Sequence, residues 1–147
     1  MRSTLWLCAL TIPAASFSGC DCGVVVDLVG SWEFSWAVEQ AAGLCADEVG
    51  EVSTGVIDIE AGDTADAYDL TGFGDEPTVV LRGTFDGGTL QFEGSFADDT
   101  GTTTSSTTLD LSSDGDRLTG SEQWSWESET APDACPSATS SVTATRR

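Results

Sequence analysis

The chain has 147 residues, of which 25 are acidic and only 5 basic, for a formal net charge of −20. A field of that sign repels phosphate backbones, and no basic cluster offsets it, so nucleic-acid binding is not expected. The sequence holds no histidine, which excludes Ser-His-Asp and Cys-His catalysis and any zinc site built on imidazole.

In chain order, the first feature is Arg2 followed by the uncharged apolar run Leu5 to Ala15. That run is too short for a permanent membrane span and suits the apolar segment of a signal peptide. It leads into Phe17-Ser18-Gly19-Cys20, which resembles the bacterial lipobox. The resemblance implies cleavage of residues 1–19, acylation of Cys20 and a membrane partner held through that lipid. The expected location is then the cell envelope, with inner and outer membrane left open by Asp21. Residues 20–28 read as the lipidated start and a short tether, and 29–147 as the folded domain. Cleavage there would remove Arg2 and none of the acidic residues. The acidic surplus keeps an exported domain soluble; without lysine it also suits saline surroundings, where ions screen the repulsion.

From Val24 onward apolar and polar residues alternate with a period of two, broken by Gly and Asp. The first strand carries Trp32, Phe34, Trp36 and Val38 on one face. The second runs from about Glu51 to Glu60, and the third from Ala67 to Phe73. Thr78 to Phe85 and Thr89 to Phe96 form a hairpin around Asp86-Gly87-Gly88, whose glycines supply positive φ angles. The sixth strand is the Thr-rich 102–111. The seventh puts Leu118, Trp124 and Trp126 on one face, and the eighth is the small-residue segment Thr139 to Arg146. Only 37–46 has room for a helical turn or two.

Eight short strands joined by local turns predict an all-β fold, an antiparallel up-and-down meander closed into a small barrel. Closure removes exposed edges; a β-sandwich is the alternative. In a meander the tight turns near 61–66, 86–88 and 113–116 share one end with the tether. The longer connections near 39–50, 97–102 and 127–137 share the other, which is the better placed end for binding. With Cys20 spent on lipid, Cys22, Cys45 and Cys135 remain in an oxidising compartment. Cys45 and Cys135 each follow a tryptophan, Trp36 and Trp126, by nine residues. Those loops leave strands on either side of the eighth at one end, so a Cys45–Cys135 disulfide is expected, with Cys22 unpaired.

Trp32, Phe34, Trp36, Trp124 and Trp126 flank the small-residue eighth strand. They serve either as barrel core or, for Trp36, Trp126, Phe34 and Trp124, as the lining of a ligand site. Gly30-Ser31-Trp32 resembles the Gly-x-Trp signature that opens lipocalins and also occurs in avidin-like barrels. In lipocalins an Arg of the last strand packs over that Trp at the closed end. The resemblance therefore implies a lipocalin-like barrel, Arg146 stacked on Trp32, and a small apolar ligand. The whole also resembles the short lipoproteins abundant in GC-rich bacteria such as myxobacteria.

No segment has the form of a phosphate loop, and no cofactor is expected. Glu33, Glu93 and Glu122 lie within strands and read as solvated-face residues. A carboxylate-based hydrolase is thus a distant alternative, with no catalytic residue assigned. Asp63, Asp66 and Asp69 are clustered oxygen donors with the character of weak calcium ligands, although Asp is also a turn former. The expected function is a membrane-anchored envelope protein that binds a small apolar ligand or an envelope protein partner. The alternative is a structural lipoprotein with a filled core.

Overall fold

Alternating apolar and polar positions become eight antiparallel strands, and each pairs with its neighbours in sequence: β1 Gly30–Ala41, β2 Val52–Ala61, β3 Ala67–Thr71, β4 Val80–Asp86, β5 Thr89–Ala97, β6 Thr102–Leu111, β7 Arg117–Ser128 and β8 Ala131–Arg146. The computed structural model describes residues 27–73, 79–97, 99–128 and 130–147. The signal segment, Cys20 and Cys22 lie outside them.

Strand β8 pairs with β1 as well as β7, so the up-and-down meander closes into a barrel with strand order β1 to β8. It is a barrel and not a sandwich. The period-two rule decides what faces inward: on β1, Trp32 and Phe34 are fully buried while Glu33 is exposed. Ile57 and Ile59, Leu70, Leu81, Leu90 and Leu109 complete this packing from the next five strands.

The closed end is plugged by the residues just before β1. Leu28, expected in the tether, is fully buried in the core, and its carbonyl accepts a 2.9 Å hydrogen bond from Trp32 Nε1. The Arg146 guanidinium lies 4.7 Å from the centroid of the Trp32 ring. It also donates to the carbonyls of Val29, at 3.1 Å, and of Asp27.

Three expectations are corrected. The helical turn foreseen over 37–46 is displaced: β1 continues to Ala41, and a 3-10 segment occupies Gly43–Glu48. Strand geometry persists because Val38 N–H donates to Glu51 O at 3.0 Å and Gly50 N–H to Val38 O at 2.8 Å. The long loop foreseen over 127–137 is instead a continued hairpin, with Ser128 opposite Ala131. Pro136, which has no N–H to give, falls in the register shift between Ala138 and Cys135, where a bulge tolerates it. The third strand stops at Thr71, because Gly72 turns the chain at φ +107° and folds Phe73 into the core.

Candidate functional site

Toward the open end the inward positions become small or polar, with Ser53 and Gly55 on β2, Thr103 on β6 and Ser140 on β8. These leave a cavity of about 610 Å³ above the filled half. Its walls are aromatic: Trp36 from β1, Trp124 and Trp126 from β7, Phe96 from β5, and Phe73 beyond β3.

Four of these rings are held by neighbours. Trp36 stacks on Phe34, with centroids 5.4 Å apart and planes inclined by 26°, and it lies across Gly55, where a Cβ would meet the indole at 3.5 Å. Trp124 Nε1 donates a 3.0 Å hydrogen bond to Ser140 Oγ. Phe73 packs against Phe96 and Phe92, with centroid distances of 6.0 and 5.7 Å. Register shifts on both sides of β8, at Val38/Gln40 and Trp124/Trp126, bend the rim of the barrel here.

The mouth is bordered by Leu44, Cys45 and Glu48 of the 3-10 segment. A Cys45–Cys135 disulfide, Cα–Cα 5.5 Å, ties that segment to β8. Leu44 is 74% exposed beside the opening.

One carboxylate enters this space. Glu122 lies on β7 between Gly120 and Trp124, on the inward side, opposite Thr107 of β6 and Ser140 of β8. Thr107 Oγ1 donates to Glu122 Oε1 at 3.4 Å, a long contact. Burial pushes the Glu122 carboxyl above its ordinary value, and the facing Ser105 and Thr107 hydroxyls moderate that rise. Ser105 approaches without reaching hydrogen-bond geometry, so its buried Oγ has no partner.

The residues singled out in sequence are thereby sorted. Trp36, Trp124 and Trp126 line the cavity together. Phe34 does not: it lies two positions nearer the closed end and is fully buried beneath Trp36. Glu33 and Glu93 are exposed on the outer face and do not pair with Glu122. Asp63 and Asp66 stay exposed in the β2–β3 turn, while Asp69 is on the outer wall, 3.7 Å from Arg82. Among the described residues no group of three carboxylate or cysteine side chains is placed to hold a metal ion.

Glu122, Phe73 and Phe96 are the site residues that sequence reasoning missed. For Glu122 the signal was parity, since it shares the even positions of β7 with Leu118 and Trp124.

No protein-family model matches the chain, and no curated protein matches it. Among solved structures, the monomer form of the M. tuberculosis PknI sensor domain is 13% identical, with 82% of this chain and 87% of that chain covered and a TM-score of 0.49. A likeness of that degree assigns this chain neither a role nor a ligand.

Proposed function

We propose that the protein is a lipid-anchored component of the cell envelope whose barrel carries a small, largely apolar ligand in its open end. The observation that supports this reading is the aromatic cavity of about 610 Å³ standing over a filled core. That volume falls within the range of small-molecule sites, which are concave and mostly apolar with a few polar groups. Residues 27–29 sit at the closed end, so a tether from Cys20 would leave the mouth facing away from the membrane. A multiply acylated Cys20 supplies stable anchorage, which one chain alone does not.

The test uses the neutral apolar dye N-phenyl-1-naphthylamine, read by energy transfer from the cavity tryptophans. The dye should bind the wild type and fail to bind a folded Thr103→Phe/Ser53→Phe variant, in which two lining positions are filled. Failure to bind the wild type would sink the carrier reading and favour a structural lipoprotein. Independently, Cys20→Ser should abolish metabolic labelling with palmitate; a labelled variant would refute the anchor.

A further inference from the structure

Glu122 is an anomaly in a wall built of aromatic and small side chains. Glu122 is half-buried, and a carboxylate partly withdrawn from water gains from a compensating charge or further donors. Its neighbours offer two hydroxyls, one at 3.4 Å and one outside hydrogen-bond geometry. The basic residues of the barrel are elsewhere: Arg82 on the outer wall with Asp69, and Arg117, Arg146 and Arg147 around the closed end. Lysine and histidine do not occur in the sequence. The described structure therefore gives Glu122 no counter-ion.

The same cavity is lined by three indole rings, and indole faces attract cations. Among the described residues, the other charged side chain bordering the cavity, Glu48 at the mouth, is also acidic. The net charge of −20 enriches cations near the opening and disfavours anions. A hard metal ion is a poor fit, because it asks for six or more oxygen ligands and this wall is mostly aromatic. An organic cation fits every element at once. It would meet aromatic faces for its alkyl or ring portion and a single carboxylate for its charge.

We infer that the cavity takes a ligand bearing an organic ammonium group, with Glu122 as its counter-ion and Trp36, Trp124 and Trp126 as its aromatic box. This rests on the carrier reading above and names the ligand class for the same cavity.

The experiment displaces N-phenyl-1-naphthylamine with three ligands that share an eight-carbon chain: octyltrimethylammonium, octanol and octanoate. It is run near physiological salt on wild type, Glu122→Gln and Glu33→Gln. The wild type should bind the ammonium about tenfold more tightly than the alcohol, and the carboxylate most weakly. Glu122→Gln should weaken that preference by about threefold or more, leaving the share that the indole faces supply, while the alcohol's affinity is unchanged; an undiminished preference would overturn the inference. Glu33→Gln removes the same charge from the outer face and should keep the preference.

A wild type that binds dye and alcohol without preferring the ammonium would overturn the inference and leave the carrier reading standing. Equal loss of preference in Glu33→Gln and Glu122→Gln would also overturn it, by assigning the effect to the general surface field. If the dye itself is not bound, the carrier reading fails and the inference falls with it.

Discussion

Replacing both Cys45 and Cys135 with alanine should lower the stability of the barrel by about 4–5 kcal/mol. The bridge joins residues 90 apart in sequence. In the chain-entropy model, closing a loop of that length removes about 4.6 kcal/mol of freedom from the unfolded chain at 25 °C. The folded side of the balance changes little. The 3-10 segment keeps its hydrogen bonds from Ala42 N–H to Ser137 O, 3.0 Å, and from Glu51 N–H to Glu48 O, 2.8 Å, and the barrel ladder is untouched. The variant should therefore fold, with a cooperative transition displaced to lower denaturant. Because domains are stable by only about 5–15 kcal/mol, the shift is a large share of the total. Urea titration followed by tryptophan fluorescence measures it, and reducing the wild type should reproduce the alanine result. A loss below about 1 kcal/mol would refute the reasoning, since it would mean that the bond constrains the unfolded ensemble hardly at all.

Three further outcomes are expected. The folded state holds the Glu122 proton to higher pH than the unfolded chain does, so between the ordinary glutamate value and the raised one stability falls as pH rises. Glu122→Gln should remove that slope, and its stability relative to wild type, measured by urea titration at several pH values, should grow from acid toward neutral pH. Arg146→Ala removes the contact with the Trp32 ring and two hydrogen bonds to the plug; it should cost about 1–3 kcal/mol. In a thermal melt, Arg146→Lys should recover less than half of that, because an ammonium lacks the planar fork. At Gly120 a new Cβ would strike the Thr108 carbonyl and reach 3.0 Å from Leu109 Cα. Both obstacles are backbone, so Gly120→Ala should cost roughly 2 kcal/mol or more by overpacking the β6–β7 wall. A fully stable Gly120→Ala protein would contradict the register given for that strand pair.

The barrel was legible because its information is local. Alternation around Trp32 and Phe34, around Leu90 and Phe92, and around Leu109 specifies inward faces, and the glycine turns specify sequential pairing. The meander also placed Cys45 and Cys135 at one end, where the structure joins them. What misled was residue type taken without pattern. The acidic and proline-containing stretch 127–137 has the composition of a loop, yet pairing continues through it because bulges absorb Pro136. The segment 37–41 has helix-compatible residues but is recruited into β1 by its partners on β2 and β8. Charge alone reads Glu122 as solvated, although strand parity turns it inward. Phe73 reaches the cavity only through the turn at Gly72, which no periodicity describes.

The two ends of the barrel differ in how fully their groups are satisfied. At the closed end nearly every group is satisfied: the Trp32 indole has its acceptor, Arg146 its ring and carbonyls, and Leu28 its place in the core. At the open end the groups that disfavour folding collect together. They are a space large enough for a small molecule, a half-buried carboxylate whose ionisation burial opposes, and a buried Ser105 hydroxyl without a partner. Each lowers stability in the absence of ligand, and the first two would be relieved by an occupant with an apolar body and a positive head. The disulfide sits at this weaker end, where its constraint on the unfolded chain offsets the cost of keeping the cavity open. An interior built only to hold the barrel together would have continued the leucine and isoleucine packing to the rim. Here it stops at Glu122, and the change from aliphatic filling to an indole-lined opening is what folding alone does not require and the proposed ligand would explain.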